Sequence, residues 1–406
     1  MLRGPARLQG FSRDKDYVYA GWRIGYFADD CLLLAHRRVV MDLAEMVKVR
    51  AITVHVAVED WDDRQEIIRL VEEASDIALE LARLAEERTG YKVMSARVVL
   101  PITPLRPEEQ LELLKAIKLR DDVLYAAFHY SSANLDVDVL KEVLRLGSNV
   151  YAAISAITEP GDQRTPRLLY KIGLLEPEMA SRAAMVFGGY PETPYFPLAT
   201  TMQSLPGVSI ALVYPRLLEE FGYYEAMDYA VDAAFEVYEA IRMKMEKHDL
   251  FFRGFDMSLS PWMEDSVARV IEKFSGKPMP APGTAAAINK LESFIYGVCS
   301  DIKCTGFNQV MLPVAEDNVL KERVQEGAVR LHDLLNYNYA CVAGLDMVVI
   351  SRSQWSVELA AALIEELERA SKAKKRRLGL RVLTADAEPG NIVELPRFGP
   401  TPVIHL

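Results

Sequence analysis

The chain has 406 residues and half of them are apolar, so it can bury a large core as one or two α/β domains. Its 47 basic and 58 acidic side chains give a net charge of -11, which argues against an extended surface for nucleic acid or anionic membranes. No apolar run is long enough to span a membrane and the N-terminus lacks a signal-peptide pattern, so we expect a cytoplasmic protein.

Strand and helix patterns alternate through the first half of the chain. Short β-branched runs predict strands, and apolar residues at helical spacing predict the helices between them. The predicted strands are 51–58, 92–101, 123–130 and 149–157, and the predicted helices are 64–88, 107–119 and 135–147. This βαβα order favours a largely parallel sheet with helical cover, either open or closed into a barrel.

The second half resumes the alternation after a proline-rich segment at 190–207. The predicted strands are 208–215, 251–259, 308–314, 345–350 and 378–384, and the predicted helices are 216–248, 264–274, 283–297, 316–335 and 356–371. The strands carry few alternating polar residues, as expected when both faces of a sheet are covered. We predict one large domain at 41–406 after an N-terminal extension at 1–40.

The four cysteines are too few and too scattered for a disulfide framework, so we expect reduced thiols. Cys299 and Cys304 lack a nearby second pair of ligands, which argues against a zinc site. Cys341 is a candidate nucleophile, but it would need an activating base, and packing in the core is the alternative.

Several motifs occur in a fixed order along the chain. They are "VRAITVHVAV" at 49–58, "VMSARVVLPITP" at 93–104, "ETPYFPLATT" at 192–201, "RGFDMSLSP" at 253–261, "APGTAAA" at 281–287, "GFNQVMLPVAEDNVLKERVQEG" at 306–327 and "ACVAGLDMV" at 340–348. Together they resemble the family called domain of unknown function 711, over roughly residues 40–395.

The resemblance implies a ten-stranded α/β barrel similar to pyruvate formate-lyase and anaerobic ribonucleotide reductase. Such a barrel has two antiparallel halves, each of parallel strands, with helices outside. Glycyl-radical enzymes of this type carry an Arg-Val-x-Gly-Tyr-like segment near the C-terminus. The C-terminal "LPRFGPTPVIHL" lacks that segment, so we expect no glycyl radical.

Two matching steps, Gly-Phe-Asp-Met at 254–257 and Gly-Leu-Asp-Met at 344–347, each place a carboxylate inside an apolar strand. A buried carboxylate needs a partner, so Asp256 and Asp346 are candidate catalytic residues that face each other across a barrel. Glu316 and Asp317 follow a strand and would add further oxygens. Such a set suits Mg²⁺ or Mn²⁺, or a shared proton for acid-base catalysis.

Each of these carboxylates also has a structural interpretation, as a helix cap or an acceptor for backbone amides in a turn. For Asp317, which lies at a helix start, we favour the capping role.

Four further residues are candidates for binding a ligand. Gly283 and Thr284 lie at a predicted helix N-terminus that could receive an anion, although an N-cap threonine is the simpler interpretation. Arg97 and Arg253 are charged residues in apolar strands, and either could bind an anion or form a structural ion pair.

Two functions remain open at this point. The first is a non-radical enzyme that acts on a small anionic metabolite in a barrel interior lined by carboxylates. The alternative is a non-catalytic ligand-binding or regulatory protein, a homo-oligomer in which the aspartates are structural. Neither interpretation involves nucleic acid or membranes.

Overall fold

The computed structural model describes residues 43–159, 161–202, 204–340 and 342–406. A mixed sheet of ten strands organises this part of the chain. The sheet strands are β1 Lys48–His55, β2 Ala96–Val99, β3 Val123–Ala126, β4 Tyr130–Ser131, β5 Val150–Ser155, β6 Ala183–Phe187, β7 Gly207–Val213, β8 Phe251–Asp256, β9 Gly344–Ser351 and β10 Leu378–Ala385. A separate hairpin consists of β11 Ile392–Leu395 and β12 Gly399–Pro402.

The helices cover one face of this sheet. They are α1 Arg64–Thr89, α2 Pro107–Ala116, α3 Val137–Arg145, α4 Arg164–Gly173, α5 Pro177–Ala180, α6 Pro215–Glu220, α7 Tyr223–Lys247, α8 Val267–Ser275, α9 Thr284–Asp301, α10 Asn318–Gln325, α11 Leu331–Tyr337 and α12 Val357–Lys374. Short 3₁₀ turns lie at Val314–Glu316, Asn338–Ala340 and Arg352–Gln354.

The strand order is β8-β7-β1-β2-β3-β5-β6-β10-β9, with β4 beside β5. Strands β1, β2, β3, β5 and β6 run parallel to one another. Strand β7 is antiparallel to β1 and parallel to β8, and β10 is antiparallel to β6 and parallel to β9. The α/β class is therefore confirmed. Because β8 and β9 end the strand order as two unjoined edges, the predicted closed barrel is not confirmed.

The predicted strand at 308–314 is not a regular strand. Instead, isolated backbone bridges link Val310 to Leu259, just beyond β8, and to Val342, just before β9. A third bridge joins Cys304 to Phe255 within β8. The segment thus touches both edges of the sheet through single contacts.

Two predicted long helices are each split in the structure. The predicted helix at 216–248 becomes α6 and α7, because Gly222 adopts an extended conformation with ψ 164° and begins a new helix. The predicted helix at 316–335 becomes α10 and α11, separated by Gly327 at φ 70°. In both cases a glycine interrupts an apolar periodicity that continues on either side.

The core divides between the two faces of the sheet. On the helical face, residues such as Ala152, Ile154 and Met185 belong to the main apolar cluster. The alternating residues Ala153 and Val186 face the other way and belong to a second cluster with residues from two irregular segments, 190–201 and 304–313. These two segments therefore cover the sheet face opposite the helices.

Residues 42–406 form one compact unit. Within the described part of the chain, no helix is both long enough and apolar enough to cross a membrane.

The expectation of reduced thiols is wrong for one pair of cysteines. Cys299 and Cys304 form a disulfide, with an S–S distance of 2.15 Å and a Cα–Cα distance of 5.6 Å. The chain turns after α9, and a backbone bridge between Cys304 and Phe255 holds the following segment against β8, while the disulfide ties it to Cys299 of the helix. Spacing alone did not reveal this turn.

Candidate functional site

Two cavities lie on the sheet face covered by the irregular segments. The first, which we call the arginine cavity, has a volume of about 160 Å³. Its charged lining residues are Arg50, Arg97, Arg381, Arg397 and Glu316. The second, which we call the apolar cavity, has a volume of about 60 Å³. Its lining is mainly apolar and includes Ala184, Leu198, Phe307, Met311 and Leu312, with Asp346 at one side.

A chain of ion pairs forms the polar wall between these cavities. Glu316, in the 3₁₀ turn at Val314–Glu316, accepts hydrogen bonds from Arg50 of β1 and, at 3.1 Å, from Nη2 of Arg381 in β10. Arg381 also binds Asp346 of β9 through both carboxylate oxygens, Nε to Oδ1 at 2.6 Å and Nη2 to Oδ2 at 2.8 Å. Glu316 therefore connects β1 and β10, which lie far apart in the sheet order.

Glu316 is a permanent negative charge in this wall. Its burial opposes ionisation, but the guanidinium groups of Arg50 and Arg381 outweigh that effect and hold the pKa of Glu316 below its ordinary value. The carboxyl group therefore anchors two arginines and does not serve as a proton donor near neutral pH.

Arg97 is a buried charge of the arginine cavity that has no ion-pair partner among the described residues. The residue is 8% exposed. Its Nε donates to the Ser95 hydroxyl at 2.8 Å, its Nη1 donates to the Pro194 carbonyl at 2.8 Å, and its guanidinium lies 4.9 Å from the Phe196 ring centroid. No carboxylate of the described residues forms an ion pair with it. Burial, together with repulsion from Arg50, lowers the pKa of Arg97 to about 10, so the group stays charged at neutral pH.

Aromatic side chains contact two of the other arginines, Arg50 and Arg397. The Arg50 guanidinium lies 5.5 Å from the Tyr195 ring centroid and 5.6 Å from that of Trp262. Arg397, an exposed residue, donates a hydrogen bond to the Tyr151 hydroxyl. Such stacking orients a guanidinium without neutralising it.

Asp256 lies apart from both cavities and is fully enclosed by donors. The Ser258 amide and hydroxyl donate at 3.1 and 2.6 Å, the Phe307 and Asn308 amides donate at 2.8 and 3.0 Å, and the Thr193 hydroxyl also donates. Burial raises the pKa of Asp256, and these hydrogen bonds oppose that rise. Among the described residues, the hydrogen-bond partners of Asp256 differ from that of Asp346, which is Arg381.

The two matching Gly-apolar-Asp-Met steps each begin with a glycine at positive φ and lie close to an irregularity of the strand. Gly254 has φ 132° and lies where β8 shifts register against β7, whereas Gly344 has φ 143° and precedes the shift of β9 against β10, which falls between Leu345 and Val348. A Cβ at either glycine would overlap the backbone of an adjacent segment, that of Lys303 or Gly379 respectively. The repeated pattern therefore encodes a backbone geometry that requires glycine.

Asp317 is a helix cap, as the structural interpretation predicts. It accepts from the Leu320 amide of α10 at 3.1 Å, from the Ala268 amide of α8 at 3.0 Å and from the Ser266 hydroxyl at 2.6 Å. The adjacent carboxylates Glu316 and Asp317 thus bind entirely different partners. Within the described residues, no three His, Cys, Asp or Glu side chains gather into a group that could hold a metal ion.

Gly283, Thr284 and Arg253 do not line either cavity. Gly283 is the N-cap of α9 and Thr284 is its first residue, so the predicted threonine cap is wrong; the Thr284 hydroxyl donates to the Ala281 carbonyl at 2.8 Å. Arg253 lies 3.3 Å from Glu192 and also donates to a backbone carbonyl. Cys341 lies outside the described residues.

Sequence reasoning missed Arg50 and Arg381, although both carried the same signal as Arg97, a charged residue within an apolar strand. It identified Asp346 and Glu316 but not the arginines that they bind. Tyr195 and Phe196 belong to the "ETPYFPLATT" stretch, which lines both cavities.

Several known proteins and one family model are similar to this chain. The family model described as "Uncharacterised ACR (DUF711)" matches residues 179–395. A UPF0210 protein of Sulfurisphaera tokodaii is 25% identical over 379 residues, covering 82% of this chain and 84% of the relative. A UPF0210 protein of Pyrobaculum islandicum is 25% identical over 387 residues, covering 90% of this chain and 80% of the relative. A UPF0210 protein of Clostridium acetobutylicum is 34% identical over 113 residues, covering 27% of this chain and 25% of the relative. Because the family model spans more than half of its length, this chain belongs to the DUF711 family.

Proposed function

We propose that this protein binds a small anionic metabolite in the arginine cavity. The observation that carries this proposal is Arg97, a buried guanidinium whose charge no described carboxylate neutralises. A buried charge without a counter-ion is costly to the fold, and a bound anion would remove that cost.

The charge balance of the cavity favours an anion with two negative charges. Four guanidinium groups and one carboxylate line it, and Asp346 neutralises one guanidinium from the other side of the wall. Four positive and two negative charges leave an excess of two positive charges. Guanidinium groups bind carboxylate and phosphate oxygens through pairs of hydrogen bonds, so dicarboxylates and phosphates are the matching classes.

If the sheet edges β8 and β9 join, the arginine cavity lies inside a barrel. We propose that the segment around Val310 closes the sheet, which would give the pyruvate formate-lyase-like barrel that the family resemblance implies. The bridges from Val310 to Leu259 and to Val342 support this closure. An experimental structure in which 304–311 pairs with neither β8 nor β9 would contradict it.

Isothermal titration with phosphate, pyrophosphate, malonate, succinate and citrate tests the binding proposal. At least one anion is expected to bind, and Arg97→Gln should weaken that binding by at least tenfold, because a charge-assisted hydrogen bond contributes about 1.5–3 kcal/mol. Arg182 is a matched control, since it is 3% exposed and its guanidinium donates to the Leu144, Gly147 and Val150 carbonyls without lining either cavity. No binding by any of these anions, or equal losses in Arg97→Gln and Arg182→Gln, would refute the proposal.

Catalysis on the bound anion is the second candidate. The Asp346 side chain is 34% exposed and lines the apolar cavity beside the ion-pair wall, whereas the Glu316 side chain is 5% exposed. Asp346 is therefore the carboxylate of this wall that can contact a substrate. An enzyme would convert the anion that binds, and Asp346→Asn would abolish turnover while retaining binding. Retained turnover in Asp346→Asn would exclude this role.

A further inference from the structure

We infer that the ligand is an amphiphilic anion whose doubly negative head occupies the arginine cavity and whose short apolar arm occupies the apolar cavity. This inference rests on the proposed function, because it requires an anion in the arginine cavity. It adds that the part of the ligand outside the anionic head is a short apolar group.

The two cavities adjoin. Their shared lining residues are Arg50, Tyr195, Phe196, Glu316 and Arg381. A ligand whose head contacts the guanidinium groups therefore lies next to the apolar cavity. The aromatic residues of this shared wall offer an apolar surface between the two spaces.

The lining of the apolar cavity changes character away from the shared wall. Beyond Asp346, the side chains that surround it are uncharged, and Leu198, Phe307, Met311 and Leu312 give it an apolar surface. Leu198 and Phe307 belong to the small apolar cluster on this face of the sheet. Water gains few hydrogen bonds in such a space, whereas an alkyl group is removed from water there.

The volume of the apolar cavity limits the length of the arm. A volume of about 60 Å³ holds about four water-sized groups, at roughly 15 Å³ each. The arm should therefore contain up to about four carbon atoms. Burial of each methylene corresponds to an increase in affinity of about fourfold until the space is filled.

The test is a titration series of monoalkyl phosphates and alkylmalonates, with alkyl groups from methyl to hexyl. It is done at about pH 8, above the second phosphate pKa of ~6, so that both heads are dianions. Affinity for at least one head should rise about fourfold per carbon to about butyl and then level off or fall. Comparison of the two heads shows whether the site takes a phosphate or a dicarboxylate.

Two variants with opposite effects on cavity size locate the arm. Ala184→Val narrows the apolar cavity and should shorten the best alkyl group, while Leu198→Ala widens it and should lengthen the best alkyl group. The control is Ala183→Val, the same change at the neighbouring position of β6, which faces the helical core. It should leave the preferred length unchanged.

The outcomes separate this inference from the proposal beneath it. Anion binding with an affinity that does not depend on alkyl length would overturn the inference and leave the proposed function intact. A length preference that neither Ala184→Val nor Leu198→Ala shifts would also overturn it. Failure of every phosphate and malonate, including the unsubstituted ions, would overturn the inference, and the proposed function would fall with it only if pyrophosphate, succinate and citrate also fail to bind.

Discussion

Replacement of Glu316 by glutamine tests the central ion-pair wall. Glutamine keeps the shape of the side chain but removes the charge that Arg50 and Arg381 share. All three side chains are at most 10% exposed, so the two guanidinium groups would lose a buried counter-ion that solvent cannot replace.

The expected loss of stability is large. Breaking a buried ion pair by removal of one partner costs about 3–5 kcal/mol, and Glu316 serves two partners. For a domain that spans residues 42–406, with an unfolding entropy of about 2.1 cal/mol/K per residue, that loss corresponds to a decrease in melting temperature of roughly 4–7 °C. The pKa of Glu316 is lowered in the folded state, so its stabilisation is present above the unfolded pKa of ~4.3 and disappears as the pH falls through the lower folded value. The difference between wild type and Glu316→Gln should therefore shrink only in strong acid.

Anion binding should change in the opposite direction. Removal of a negative charge from the cavity wall should increase affinity for a dianion by about tenfold or more, at an effective dielectric constant of ~20. The assays are urea unfolding at several pH values and calorimetric titration with the anion that binds the wild type. A Glu316→Gln protein with unchanged stability, or with weaker anion binding despite native folding, would refute this reasoning.

Three further predictions concern other parts of the structure. Burial lowers the pKa of His129 to about 3, below the unfolded value of ~6.5. Between these two pH values only the unfolded state binds the proton at this histidine. Its contribution therefore lowers the free energy of unfolding by about 1.4 kcal/mol per pH unit as the pH falls. His129→Phe should reduce the pH dependence of urea unfolding from pH ~6 to ~4 by this amount and leave the contribution of buried His55, whose pKa burial also lowers to about 3, whereas the exposed His332→Asn should leave it unchanged. Gly306→Ala should destabilise the fold far more than Gly283→Ala, since both have positive φ but only at Gly306 would a Cβ overlap the Asp256 carboxylate; equal melting temperatures would contradict this. Reduction of the disulfide should lower the free energy of unfolding by about 2 kcal/mol, because the loop that it closes is short. Mass spectrometry of the purified protein checks the bond itself, and a pair that is already reduced or that does not react with a reductant would contradict its presence.

Much of the fold could be predicted because its strands are continuous apolar runs. Strands β1, β9 and β10 and helix α1 lie within a few residues of their predicted ranges. Strand β6 was missed because "AAMVF" contains one β-branched residue and lacks the usual strand composition. The hairpin of β11 and β12 was missed because prolines and polar residues interrupt its pattern.

The site was only partly predictable. The sequence singled out Asp346, Glu316 and Arg97, because a charge inside an apolar run requires a partner. It could not identify the partners, since Arg50 and Glu316 are 266 residues apart and meet only through the tertiary fold. The matching glycine steps suggested a pair of catalytic aspartates, whereas their local conformation reflects a backbone irregularity in each strand.

A crystal structure of the protein with a monoalkyl phosphate or an alkylmalonate is the most direct test of anion binding. The proposal predicts a head group within hydrogen-bond distance of the Arg97 guanidinium, with the alkyl arm against Leu198 and Phe307. A cavity that contains only water at saturating ligand, or an anion bound elsewhere with Arg97 unoccupied, would contradict the proposed function.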